Sequence, residues 1–401
     1  MKKIEKKNAS VLITSSSISR AGDILFDYAS NTFLASINRH SLMLVGIYQT
    51  LENMISVIFN LFGGVIADRF RRKRILILTD FFSGLTCLVA ALINVSHILI
   101  FAIIGGTVVL SLLSSFSNPA YKAITKESVE KETIAELNSN LQTASMIMKI
   151  FIPLVSVGIY HIIGIHGALA LDAVSFFISA SIVLLISPII EEIKMREKFS
   201  FSLIFKDLAS GFTYLFHKKR IFILIILAAF VNFFLAAYNL LLPFGNQMFP
   251  KIIGNIYGSY LTAEAVGGII GAVISGKINK KMDVNQLMLY LGISGISLGL
   301  APVFYHIYPT LYLLVLSPAL FNLFLALFNI QFFSFVQREV ESEFLGRVFG
   351  IIFTVAILFM PLGTLLFTLL LTPSFEYNFL FVGMGILILS ILFTKIYQKY
   401  A

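Results

Sequence analysis

Apolar windows of about twenty residues recur along the chain between short polar breaks, and each is long enough for a helix to cross a bilayer. Twelve can be drawn, at about 11–36, 41–66, 75–95, 98–120, 137–162, 167–189, 220–246, 252–276, 285–306, 309–336, 346–371 and 376–396. The longest break separates six windows from six. The pattern predicts an all-α membrane protein of twelve transmembrane helices in two six-helix halves, 1–189 and 220–401, joined by a cytoplasmic linker over 190–219. In that linker "FSFSLIFKDLASGFTYLFHKKR" (199–220) sets Phe201, Ile204, Phe205, Leu208, Phe212, Leu215 and Phe216 on one helical side, against Lys206 and Asp207. This predicts an amphipathic helix lying in the membrane interface. A cytosolic extension of the seventh span fits the same residues.

Composition sharpens the class. Of 401 residues, 58% are hydrophobic and 13% charged, and the mean hydropathy is +0.90. Soluble domains carry about twice that charge, so lipid has to be the solvent for most of this surface. The one cysteine, Cys87, allows no internal disulfide. The net charge of +9 does not point to nucleic acid, because its placement follows the membrane: 26 of the 30 basic residues fall on alternate breaks. That side holds both termini and the 69–74 and 277–281 loops, and the positive-inside rule assigns it to the cytoplasm, against an anionic leaflet. The expected location is the cell (plasma) membrane, multi-pass. Arg20, Asp23 and Asp27 would interrupt the apolar region of a signal peptide, so the first window reads as an uncleaved span.

The two halves repeat each other. After the second span comes "GGVIADRFRRKR" (63–74) and after the eighth "GGIIGAVISGKINKK" (267–281), with Gly64 and Asp68 matching Gly271 and Ser275 at an offset of 207. "TKESVEKETIAELN" (125–138) matches "QREVESEFLGRVF" (337–349) at an offset of 211 or 212. Duplicated six-span halves with a path between them are a transporter architecture.

"GVIADRFRRK" (64–73) resembles the loop signature of the major facilitator superfamily: Gly, three residues, Asp-Arg, two residues, then two basic residues. "SNPAYKAITKESVEKETIAELNSNLQT" (117–143), "GALALDAVSFFISA" (167–180) and "GRVFG" (346–350) resemble the drug-exporter branch that includes macrolide efflux proteins. The chain departs from that pattern in two places: Arg71 stands where the loop usually has its second glycine, and Ile152 precedes Pro153 where drug antiporters carry Gly-Pro. The loop has a physical reading too. Asp68 ends a helix and can pair with a base such as Arg347, or with a helix N-terminus, as a cytoplasmic latch. Gly64, Arg69, Arg72 and Lys73 belong to the same device, and the basic residues also enforce topology.

The first span poses the chemical question. At about 100° per residue, Arg20, Asp23, Asp27 and Asn31 fall within an arc of about 80°, a stripe that cannot face lipid. Mid-span charges elsewhere are Glu52, Lys149 and Glu264, so two bases stand against four acids. A carboxylate without a base in low dielectric takes a proton. The proton-coupling candidates are therefore Asp27, Glu52 and Glu264, with Asp23 and Arg20 serving equally well as a local pair that holds helices. Glu264 adjoins "GGIIG" (267–271), so its face can instead be a helix contact. Asp172, nearer the outer end of the sixth span, reads as structural. Asn232, Tyr238, Asn239, Asn322 and Asn329, with Asn31 and Lys149, are candidates for a substrate cavity. The asparagine pairs suit interhelical hydrogen bonding just as well.

These features predict a secondary active transporter, coupled to protons, that exports a hydrophobic or amphipathic compound such as a macrolide-like drug. Its partners are that small substrate, protons and membrane lipid; no nucleic acid, cofactor or metal site is implied, and one chain suffices. A lipid or lysolipid flippase, or a non-transporting receptor or immunity protein, are the competing readings. No nucleotide-binding glycine loop and no paired catalytic constellation occurs, so an enzyme is not expected.

Overall fold

The computed structural model describes residues 3–37, 41–189, 210, 213–278, 283–341 and 344–399. The chain divides into two compact units, Met1–Lys198 and Phe199–Ala401. The first contains α1 (Lys3–Ser36), α2 (Ser41–Arg69), α3 (Arg72–Ala91), α4 (Ser96–Ser128) and α5 (Ile134–Val183). The second contains α6 (Lys219–Leu241), α7 (Ile256–Lys277), α8 (Val284–Gly299), α9 (Leu316–Glu339), α10 (Leu345–Leu370) and α11 (Asn378–Lys399), with short helical turns between them. The interfacial helix expected over 199–220 falls largely outside the described residues.

The helices follow from the apolar windows, since a backbone in hydrocarbon has to satisfy its own hydrogen bonds. Among the described residues ten helices are long and apolar enough to cross a membrane. One of them, α5, runs for 50 residues but breaks at Gly164, where φ 65° and ψ −167° put the backbone in a region only glycine adopts readily. The charged α1 does not meet the apolar threshold that defines the ten. The expected count of twelve therefore depends on reading α1 as a span and α5 as two limbs.

Each unit pairs its helices in the same order. In the first, α1 packs along both limbs of α5, α2 on α4, and α3 on α4 and α5. In the second, α6 packs on α10 and α11, α7 on α9, and α8 on α9 and α11. With the α5 limbs matched to α10 and α11, the two sets of pairings coincide. Element boundaries give the register: α3 begins at Arg72 and α8 at Val284, 212 residues on. The end of α4 at Ser128 and of α9 at Glu339 differ by 211, as do the starts of α5 and α10 at Ile134 and Leu345. The offset of 211–212 is thus the register of the duplication. At the loop itself the ends of α2 and α7, Arg69 and Lys277, differ by 208, close to the 207 read between Gly64 and Gly271.

Those glycines let backbones touch. A Cβ on Gly267 would strike the carbonyl of Ala319, and one on Gly63 the carbonyl of Ser115. Small residues at such crossings are the usual means of close approach between helices in membranes. Gly22 works differently, admitting the side chains of Asp172 and Ser175 against α1. Gly22→Leu should therefore cost about 1–3 kcal/mol through overpacking, whereas Gly158→Leu, which meets open space, should be tolerated. Thermal unfolding of the two purified variants in detergent checks the contrast.

Candidate functional site

The polar stripe of α1 meets α2 and both limbs of α5. Asp27 Oδ1 accepts a 2.7 Å hydrogen bond from the Tyr48 hydroxyl of α2. Tyr48 is fully buried and is also hydrogen-bonded to Thr107 of α4. Asn31 donates to the backbone carbonyl of Asp27 at 2.8 Å and accepts from Gln49 at 3.2 Å, so its amide supports the turn and not the Asp27 carboxylate. Glu52, one turn beyond Tyr48, lies within electrostatic reach of Asp27 and Asp23.

Arg20 does not clamp Asp23. Its guanidinium donates to Ser145 Oγ on α5 at 2.7 Å, and no Arg20–Asp23 ion pair forms among the described residues. The two side chains border the same cavity, and Arg20 acts on Asp23 through space without a direct ion pair. Arg20 and Asp23 are both exposed on their unit, as is Lys149 on α5.

A polar cavity of about 80 Å³ inside the first unit is bordered by Arg20, Asp23, Asp80, Ser83, Asn118 and Tyr121, among others. Asp80, in the middle of α3, is buried, and its Oδ2 accepts from Ser179 Oγ at 2.6 Å. Sequence reasoning passed over Asp80, although "TDFFS" (79–83) places Thr79 and Ser83 beside it as a short polar stripe. Asp172 is fully buried and accepts from the Cys87 thiol at 3.2 Å and from Ser175 at 3.2 Å, which ties α3 to α5.

In the second unit Glu264 is the central acid. Its Oε1 accepts from the Tyr238 hydroxyl of α6 at 2.5 Å and its Oε2 from Asn322 of α9 at 3.3 Å. Tyr260, one turn before it, is buried among Phe379 and its neighbours, and its hydroxyl has no partner among the described residues. Two other asparagines do not converge there: Asn232 turns its amide onto the Ala228 carbonyl of its own helix at 2.9 Å, and Asn329 is exposed.

The register explains the likeness of the two clusters. "YQTLE" (48–52) and "YLTAE" (260–264) stand 212 residues apart, so Tyr48 corresponds to Tyr260 and Glu52 to Glu264. Across the helix pair, Asp27 of α1 meets this segment at Tyr48 and Tyr238 of α6 meets it at Glu264, so the two occupy comparable places. This Tyr-x-Thr-x-Glu repeat is the signal that sequence reasoning missed, because its tyrosines read as apolar core.

At the loop end of the first unit, Arg72 pairs with Glu127, and Lys73 Nζ donates to the carbonyls of Leu184 and Ile186 at 2.7 and 2.8 Å. The latter caps the C-terminal end of α5 with positive charge. Both are contacts within the unit. Arg347 lies over the Phe344 ring at 5.5 Å. Gly64, Asp68 and Arg69 lie on α2, with side chains outside those described.

Two helical bundles with matched pairings each carry a carboxylate hydrogen-bonded by a tyrosine from a neighbouring helix. Residues 12–364 match the family model of the Major Facilitator Superfamily, and the chain belongs to that family. Macrolide efflux protein A of Enterococcus faecalis is 22% identical over 311 residues, covering 75% of this chain and 92% of its own. The staphyloferrin A transporter of Staphylococcus aureus is 24% identical over 339 residues, covering 82% of this chain and 81% of its own. Among solved structures, the nucleoside transporter NupG superposes with a TM-score of 0.76 at 16% identity, covering 96% of this chain and 99% of its own. A bacterial homologue of the iron transporter ferroportin, in an inward-facing state, gives 0.75 at 17%, covering 96% and 98%. Family and neighbours alike are membrane transporters and not enzymes.

The tyrosines provide a test. Tyr48→Phe deprives Asp27 of its donor and should destabilise by about 1–3 kcal/mol. At alkaline pH, where Glu264 is ionised, Tyr260→Phe removes a hydroxyl that has no partner among the described residues and should be neutral or slightly stabilising. Parallel thermal melts of the two variants read this directly.

Proposed function

We propose that this protein is a proton-coupled exporter of a hydrophobic or amphipathic compound of the macrolide type, resident in the plasma membrane with both termini cytoplasmic. The observation that carries the reading is Asp27. Its carboxylate is held by a neutral donor, Tyr48, while the nearby base Arg20 is engaged at Ser145. A carboxylate held in that way can take and release a proton as its exposure changes, which is what coupling requires. The macrolide efflux relatives favour a greasy drug-like substrate. The surplus of buried acids favours neutral or cationic compounds over anions.

In vesicles with an imposed pH gradient, the wild type should accumulate a radiolabelled macrolide. Asp27→Asn should exchange it across the membrane without accumulating it. Accumulation at the wild-type rate by Asp27→Asn would remove the aspartate from the coupling step. Absence of any gradient-driven accumulation in the wild type would reject the proton-coupled reading for this class of drug.

Orientation has its own check. Cys87, the native thiol, is buried, so a cysteine introduced at exposed Ser96 or Tyr308 can be labelled over a quiet background. Both positions should react with an impermeant thiol reagent added outside intact cells, and a cysteine at Lys73 should not. The reverse pattern would invert the topology.

A further inference from the structure

We propose that the duplication has left the protein with two proton stations, one in each unit: the Asp27–Glu52 pair with Tyr48, and Glu264 with Tyr238, Tyr260 and Asn322. Each station binds one exchangeable proton. This rests on the proton-coupled reading above and extends it from one site to two.

The argument begins with the register. The same Tyr-x-Thr-x-Glu segment occupies the same place in both units, on the helix that follows the first of each unit, and in both a tyrosine hydroxyl is given to a carboxylate across that helix pair. What differs is the position occupied by Asp27 in one unit and Tyr238 in the other. In the first unit this position is a second acid, so Glu52 lies within electrostatic reach of Asp27 and of Asp23, and Asp27 also within reach of Asp172 on α5. Two such carboxylates cannot both stay ionised at low cost, and one proton shared by the pair relieves the repulsion. In the second unit the position is a hydroxyl donor, and Glu264 is a solitary acid.

Among the described residues of its own unit, Glu264 meets no base. The groups facing it are Tyr238 from α6, Tyr260 from its own helix and Asn322 from α9. The turn over 242–248, also packed on α7, carries no charged residue. Arg338 is sixteen residues along α9 from Asn322, about 24 Å at 1.5 Å per residue, and Lys277 is thirteen residues from Glu264, about 20 Å. The carboxyl therefore changes charge by moving a proton and not by exchanging an ion pair.

The unpartnered hydroxyl of Tyr260 completes the site. One helical turn apart, Tyr260 and Glu264 share a face. Ionised, the Glu264 carboxylate accepts from Tyr238 and Asn322, and the Tyr260 oxygen has nothing to bind. Protonated, the acid gains an O–H donor and Tyr260 offers it a buried acceptor. One face of the site thus serves the charged form and the other the neutral form. The proton arrives on a carboxylate oxygen from water and returns to water.

The stations can be counted without any transported substrate. The detergent-purified full-length protein is taken from about pH 9 to about pH 5, a span that brackets working coupling groups, and protons bound per molecule are measured with an indicator dye. Glu264→Gln should bind one proton fewer than the wild type. The double variant Asp27→Asn/Glu52→Gln should also bind one fewer, and the triple variant two fewer. Glu264→Asp should restore the wild-type count, which separates loss of a carboxyl from loss of fold. An unchanged count in Glu264→Gln overturns the second station even if Asp27 proves essential for accumulation. A single proton lost in the triple variant would mean that one site, not two, takes up protons.

Discussion

A carboxylate carried into hydrocarbon has to be given a hydrogen-bond donor, a counter-charge or a proton, and the whole arrangement turns on which of these each acid receives. Tyrosine is the donor chosen at both central acids. A phenol hydroxyl stabilises a carboxylate without cancelling its charge, so the acid stays responsive to its surroundings. An arginine in the same place would fix the charge and remove that response. The peripheral acids receive other solutions. Asp172 is tied to Cys87 and Ser175, and Asp80 to Ser179, by contacts that also join α3 to α5. The hydrogen bonds of Asp172 and Asp80 thus hold the unit together, while those at Asp27 and Glu264 leave room for a proton.

Local geometry enforces this division more than composition does. Counting charges along the first span suggests an arginine placed to neutralise a neighbouring aspartate. The direct pairing is not made, because the Arg20 guanidinium gives its hydrogen bond to Ser145 on α5. The first unit therefore has several acids near one another and its base directed elsewhere. Its small polar cavity is the natural consequence: Arg20, Asp23 and Asp80 border space that apolar side chains could fill only by stranding three charges.

Much of the fold is legible in the sequence because the membrane imposes coarse rules. Twenty-residue apolar windows and alternating basic loops are strong, redundant signals, and the helices fall close to the predicted windows. The site was half legible. The α1 stripe shows itself because charges in an apolar span are conspicuous. The asparagine spacing in α6 and α9 suggests two convergent faces, yet Asn322 reaches an acid while Asn232 does not, since an asparagine in a helix can satisfy itself on the carbonyl four residues back. Asp80 and the Tyr-x-Thr-x-Glu repeat stayed hidden for a different reason. Tyrosine counts as apolar in a hydropathy pattern, and a repeat only becomes visible once helix ends fix its register.

The two units differ by one exchange with large consequences. Replacing an acid by a tyrosine at the position of Asp27 and Tyr238 removes a charge, supplies a donor and strands the Tyr260 hydroxyl that would otherwise have had that acid to bind. A stranded buried hydroxyl costs about 1–3 kcal/mol, and a phenylalanine would avoid that cost at once. Its presence is accounted for if Glu264 spends part of its time with a proton to donate. In the first unit the corresponding hydroxyl, Tyr48, has an acid to bind, namely Asp27. The same segment thus meets an acid in one unit and a hydroxyl donor in the other, and under the two-station proposal that difference across one helix contact separates a shared-proton pair from a solitary acid.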